Sequence, residues 1–227
     1  DLPVHIHVAE QVREVEHCVA RLGARPIQWL YDHAAVDRRW CLVHATHADE
    51  NELEAMVSSR AIVGLCPTTE ANLGDGLFGA ERFIGLGGQF GIGSDSHVSV
   101  SPAEELRLLE YGQRLFSRRR AVLARRDGDS VGRTLYESAA MGGARALGIE
   151  AGSLAPGARA DLVVLDNNAP GLQGRREDGL LDALVFFGGP CAVKEVWVGG
   201  RRMVADGIHT QRETVFERYQ KAIRALD

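Results

Sequence analysis

Three stretches decide the fold: residues 4–11 (VHIHVAEQ), 41–47 (CLVHATH) and 90–97 (FGIGSDSH). Each is a short apolar run that ends on polar side chains: His7 and Glu10 in the first, His44 in the second, Asp95 in the third. Runs of this length, bounded by polar groups and glycines, read as buried strands. Their polar residues therefore collect at strand C-terminal ends, where a parallel α/β barrel builds its active site. Two imidazoles and two carboxylates converging there suit a metal-activated water with acid and base helpers.

Outward from these runs, strand and helix alternate. Residues 4–9 form the first expected strand, and residues 10–22 follow with Val12, Val15, Val19 and Leu22 at helical spacing. Residues 26–33 read as a short helix and residues 40–44 as the second strand. Asp49, with Glu52 three positions on, has the pattern of a capping box, opening a helix to about Ser59. Residues 61–66 are a third strand stopped by Pro67, and residues 90–94 a fourth. Between these last two, residues 67–88 are expected to be one long functional loop centred on Asn72–Gly76. Helices are expected over residues 101–126 and 130–147. Repeated strand–helix units imply a parallel sheet with right-handed crossovers.

The pattern changes after Gly148. Residues 162–165 are an apolar strand, residues 193–204 a hairpin turning at Gly199-Gly200, and residues 182–187 a strand or short helix. An amphipathic helix over residues 215–226 closes the chain. The expected division is residues 1–148 as half of a parallel α/β barrel, 149–209 as a small module of short β elements, and 210–227 as a C-terminal helix.

Composition narrows the function. The chain has 227 residues, 45% of them hydrophobic, and a net charge of −5. A substantial core is affordable, and nothing favours nucleic acid or a membrane surface as partner. The basic run at Arg118–Arg120, with Arg125 and Arg126, reads as a solvated helix face. Four cysteines (Cys18, Cys41, Cys66, Cys191) without a CxxC pair fit buried thiols in a reducing cytoplasm. No apolar run reaches the ~18–20 residues that span a bilayer.

Single histidines carry less weight. His5, His17, His33 and His209 have no partner pattern, and His47 and His97 lie close enough to the motifs to assist them. Glu10 taken alone is also an ordinary helix-start glutamate. Asp95, at a glycine-flanked strand end, is costly to bury unless a cation compensates it.

Taken in order, HVAEQ, VHATH, CPTTEANLGDG and GIGSDSHVS resemble the amidohydrolase superfamily. The similarity is to its metal-dependent deaminases of amidines and purine-like rings. TEANLGDGLF and GSDSHVSVSPAEELRLLEY are most like the N-formimino-L-glutamate deiminases of histidine degradation. The resemblance covers essentially the whole chain, and ALGIEAGSLAPGARADLVVLD resembles the exit from barrel to β-sandwich.

The fold implied is the C-terminal half of a (β/α)8 TIM-like barrel plus part of a small β-sandwich domain. The resemblance makes His7 a zinc ligand of the fifth barrel strand and Glu10 the acid that shuttles a proton to the amidine nitrogen. It makes His44, ending the sixth strand, a group that helps polarise the attacking water or holds the developing tetrahedral centre. Asp95, ending the eighth, becomes both zinc ligand and proton acceptor. Arg82 or the Asn72–Gly76 loop is a candidate for gripping the substrate's glutamate end. The family's first strand carries a His-x-His pair of ligands; His5-Ile6-His7 has that spacing but sits in the fifth-strand motif. Those two ligands are therefore expected upstream of residue 1.

The activity implied is hydrolytic deimination of N-formimino-L-glutamate to N-formyl-L-glutamate and ammonia, by a cytoplasmic homodimer with one divalent metal ion per site. Alternatives from the same residues are a guanine or adenosine-type deaminase or a triazine chlorohydrolase, or a fragment unable to hold metal alone.

Overall fold

The computed structural model describes residues 2–96, 99–126, 128–188 and 192–226. Four strands, β1 (Val4–Val8), β2 (Trp40–His44), β3 (Ile62–Leu65) and β4 (Gln89–Ile92), form one parallel sheet in the order β1-β2-β3-β4. Strand order follows chain order because each crossover carries helix: α1 (Val12–Leu22) and α2 (Pro26–His33), then α3 (Glu50–Ser59), then α4 (Pro67–Leu73) and α5 (Ala80–Gly85). Parallel strands require such crossovers.

Alternation along β1 sets its two faces. Ile6 and Val8 join the main core, with Leu42, Val63, Phe83 and Phe90, while His5 and His7 stand on the opposite, exposed face. Phe83, Phe90, Ile27 and Leu42 are completely buried or nearly so. Each such side chain contributes about 1.5–3 kcal/mol by leaving water.

Two long helices follow, α6 (Pro102–Ser117) and α7 (Val131–Ala146). The expected helix over residues 101–126 is thus interrupted: Arg118 takes a left-handed φ of 55° and the chain turns back. Glu110 is the physical reason. Its fully buried carboxylate accepts the N–H groups of Val122 and Leu123 at 3.0 and 2.9 Å, and the Arg114 guanidinium at 2.6 Å. A continuous helix would carry that segment away and leave a buried charge poorly compensated. The arginine run therefore lies at and beyond the helix end, where Arg119 pairs with Glu81. α7 packs closely on β4, since a Cβ at Gly142 would lie 1.9 Å from the Phe90 carbonyl oxygen. Its last residue, Ala146, packs with Cys41 and Ile62, and its carbonyl accepts the His5 ring N–H at 2.8 Å.

The region read as one loop over residues 67–88 is instead two short helices, α4 and α5, joined by residues 74–79. Pro67 at the first helical turn and left-handed Gly74 at the end bracket α4.

Beyond α7, β5 (Leu162–Leu165), β6 (Val193–Val198), β7 (Arg201–Ala205) and β8 (Ile208–His209) make a separate antiparallel sheet. The Gly199-Gly200 turn joins β6 to β7, and both glycines have positive φ. Residues 182–187 are helical, split between α8 (Asp178–Ala183) and a π-helical turn over Leu184–Gly188. A small core of Ala169, Leu172, Ala183, Leu184 and Ala192 lies beside them. The last helix, α9 (Arg212–Arg224), buries none of its residues. Among the described residues, no helix is long and apolar enough to cross a membrane.

Candidate active site

The C-terminal ends of β1, β2 and β4 share one backbone feature. Ala9, His44, Ala45 and Asp95 take φ values of 51°, 68°, 49° and 49°. Left-handed conformations are unfavourable for such residues and concentrate where a structure holds side chains for function. Each break in the strands is supported locally. Ala9 and Glu10 donate their N–H groups to the Glu14 carboxylate at 2.7 and 2.8 Å, fixing the start of α1. Ala45 N–H reaches the Val8 carbonyl and His47 N–H the Ala9 carbonyl, both at 3.1 Å, which laces the ends of β1 and β2 together. Thr69 donates its hydroxyl to the Ser94 carbonyl at 2.8 Å, holding the end of β4 against α4.

His44 is the centre of the resulting cluster. It is 0% exposed, and its Nε2 lies 3.7 Å from Glu10 Oε1 and 3.7 Å from Asp95 Oδ2. The His7 ring centroid is 5.5 Å from its own. On the other side, His44 Nδ1 lies 3.2 Å from Glu70 Oε1, and that oxygen also accepts the Cys66 N–H at 2.9 Å. Glu70 accepts the Nδ1 proton, so Nε2 is the ring atom presented to Glu10 and Asp95. Burial pulls the His44 pKa down, but the Glu70 hydrogen bond and the charges of Glu10, Glu70 and Asp95 outweigh it, and the net shift is upward. Glu10 is also shifted upward: burial acts first, Asp75 and Asp95 add to it, and His44 and His7 oppose. Glu10 is thereby suited to carry a proton to a leaving group.

The structure brings together Glu10, His44 and Asp95, with His7 beside them. Arg82 is not brought there. Its half-exposed guanidinium pairs with Glu50 and, at 3.5 Å, with Glu54, tying α5 to α3. His47 lies next to the cluster, whereas His33 and His209 make local contacts only, with the Trp29 carbonyl and the Gln211 N–H. His97 and Cys191 lie outside the described residues. Sequence reading passed over Glu70 because a lone glutamate in a presumed loop looks like a solvated one. The bracketing Pro67 and Gly74 were the available signal that it lies on a short helix.

The donor set suits a cation. His44 Nε2 is buried with no hydrogen-bond partner among the described residues, and carboxylate oxygens approach it from two directions. One donor atom each from His44, Cys66 and Asp95 lie within 4.8 Å of one another. Burial pushes the Cys66 thiol up to about 12, so without a cation beside it the thiol is protonated at neutral pH. Imidazole and carboxylate remain, a set that suits zinc and its neighbours.

The model of the amidohydrolase family matches residues 1–203. A formimidoylglutamate deiminase from Pseudomonas aeruginosa is 59% identical over 213 residues, which is 94% of this chain and 47% of that protein. A 5-methylthioadenosine/S-adenosylhomocysteine deaminase from Natronomonas pharaonis is 29% identical over 90% of this chain and 46% of its own length. Among solved structures, an amidohydrolase from Brucella melitensis superposes with a TM-score of 0.92 at 48% identity, over 99% of this chain and 49% of that one. An adenosine deaminase from Xanthomonas campestris with bound zinc gives a TM-score of 0.85 at 27% identity, over 98% of this chain and 51% of that one. The chain spans about half the length of the curated relatives it matches.

Proposed function

The chain belongs to the amidohydrolase family, and we propose that its protein catalyses hydrolytic deimination of N-formimino-L-glutamate to N-formyl-L-glutamate and ammonia. The observation that carries the chemistry is His44 Nε2, fully buried between the Glu10 and Asp95 carboxylates at 3.7 Å each. The substrate is supported by the relative of 59% identity, which is a formimidoylglutamate deiminase.

His7 and Asp95 would hold one zinc ion, a metal that the adenosine deaminase neighbour also binds; further donors would complete the set of three or more that catalytic zinc sites use. Zinc, when bound, would lower the pKa of water so that hydroxide is available near neutral pH. The chain's own residues do the rest. Asp95 takes the proton from the attacking water as its oxygen bonds to the formimino carbon. His44, oriented through Nδ1 by Glu70, offers Nε2 as a hydrogen-bonding group to that oxygen. Glu10, its pKa raised chiefly by burial, gives its proton to the leaving nitrogen. The C–N bond breaks and ammonia departs as the hydroxyl on the tetrahedral carbon becomes the formyl C=O, its proton passing to the Glu10 carboxylate. Each proton transfer is worth about 10²–10⁴-fold in rate.

The division at residues 148 and 209, a cytoplasmic location and a homodimer belong to the same proposal. A substrate panel tests it: N-formimino-L-glutamate, adenosine, guanine and a chlorotriazine, each scored for ammonia or chloride release. Preference for the formimino compound supports the reading. Preference for a ring substrate keeps the chemistry and overturns the substrate.

A further inference from the structure

We propose that Asp75 is the specificity-determining residue for a cationic amidine, binding the N–H group that leaves as ammonia. This deepens the deimination reading and rests on it.

Asp75 sits in residues 74–79, between α4 and α5, and its side chain is only 7% exposed. Its Oδ2 has no hydrogen-bond partner among the described residues. Buried carboxylates are costly unless a cation or several donors compensate them. The loop is held in place. Asp75 N–H donates to the Glu70 carbonyl at 2.9 Å, so the residue is anchored to the same glutamate that braces His44. Gly76 follows with φ of 131°, and a Cβ there would stand 3.3 Å from His47 Cε1 and 3.6 Å from Thr46 Cγ2. The loop therefore lies directly on the segment that leaves β2. On that segment Thr46 Oγ1 and His47 Nε2 are likewise buried without partners among the described residues. Asp75 is close enough to Glu10 that its charge helps Glu10 keep its proton.

The loop thus brings one carboxylate within electrostatic reach of the proton donor, with one hydroxyl and one ring nitrogen on the segment it covers. An amidine matches it. It is a stronger base than ammonia, carries a positive charge at neutral pH, and presents N–H groups in a plane. Charge-assisted hydrogen bonds of this type are roughly twice as strong as neutral ones. The balance of the reaction favours the same placement. Water oxygen bonds to carbon, Asp95 takes one of its protons, Glu10 protonates the nitrogen, and the C–N bond breaks as the remaining O–H proton passes back to Glu10 and the formyl C=O forms. Positive charge collects on the departing nitrogen, next to Asp75. A formyl oxygen at that position has no proton to donate, so product binds less well than substrate.

The test uses protein expressed from the complete gene. Asp75→Asn is expected to raise KM for N-formimino-L-glutamate about 10- to 100-fold. The inhibition constant of N-formyl-L-glutamate should move by less than about 3-fold on the same reasoning, with metal content unchanged. Equal loss for both ligands, or an unchanged KM, overturns the proposal. Should the variant fail to fold, the unaltered protein serves. Formamidinium should inhibit it far better than neutral formamide, and equal inhibition overturns the proposal. Should the unaltered protein release no ammonia from N-formimino-L-glutamate, the deimination reading fails by itself. The formamidinium comparison, made in the parent and in Asp75→Asn against whichever substrate is turned over, then still decides on Asp75: loss of the cation's advantage in the variant supports the assignment, and an unchanged advantage overturns it.

Discussion

Glu70 Oε1 lies 3.2 Å from His44 Nδ1 and, through the Cys66 N–H at 2.9 Å, is fixed to the end of β3. One oxygen thus orients the imidazole and ties it to the neighbouring strand. Loss of such an orienting carboxylate typically costs about 10–100-fold in activity or metal affinity. Glu70→Gln is expected to lower kcat by that factor and to move the His44 pKa down, since the hydrogen bond that raises it is weakened. Steady-state kinetics and NMR titration of the ring check both. An unaltered His44 titration would contradict the role given to Glu70.

How much of this was legible in the sequence depends on where the deciding contacts lie. β2 was readable to the residue, and the Asp49–Glu52 capping box is present with both of its hydrogen bonds. In both cases the signal and the contact are local. The end of α6 was not readable, because it is set by Glu110 accepting N–H groups 12 and 13 residues further on. Nothing in the helical spacing of residues 101–126 reports that long-range contact. Glu10, His44 and Asp95 were visible because polar residues ending apolar runs stand out. Glu70 was not, since burial against His44 is a tertiary fact. Arg82 looked available for substrate until its ion pairs with Glu50 and Glu54 were seen.

Gly142 and Gly143 are neighbours on α7 with opposite expected behaviour. A Cβ at Gly142 would meet the Phe90 carbonyl oxygen at 1.9 Å, whereas one at Gly143 meets nothing within 4 Å. Gly142→Ala should destabilise the protein by at least about 1–3 kcal/mol. Gly143→Ala should be neutral or stabilising by up to ~1 kcal/mol, from helix propensity. Urea unfolding of the pair decides, and equal effects would contradict the packing described.

Glu105 gives a pH dependence of known sign. Burial raises its pKa; the hydrogen bonds from the Thr68 hydroxyl and N–H oppose this, and the charges of Glu70 and Glu104 add to it. The folded chain therefore holds this proton more tightly than the unfolded chain. Stability from this group is greatest at acid pH and declines as pH rises from the ordinary glutamate range through the raised value. Glu105→Gln cannot ionise and should lose that decline. Relative to the parent, its urea midpoint should rise between pH ~4 and ~7. A difference that is flat with pH would contradict the assignment.

Thiol reactivity should follow burial. Cys41 and Cys66 are buried, with pKa values pushed up to about 11 and about 12, while Cys18 is partly accessible. Only the thiolate alkylates, and at pH 8 a thiol of pKa 12 is ionised in about one molecule in 10⁴. Brief treatment of native protein with iodoacetamide, followed by peptide mapping, should label Cys18 before Cys41 and Cys66. Early modification of Cys66 would mean that its thiol is ionised and available as a ligand.

The most direct test is ammonia release from N-formimino-L-glutamate by the protein expressed from its complete gene, beside its Asp95→Asn variant. The expected result is rapid release by the parent and a fall of about 10²–10⁴-fold in the variant. No release by the parent, or near-normal turnover by the variant, would contradict hydrolytic deimination at the cluster of His7, Glu10, His44 and Asp95.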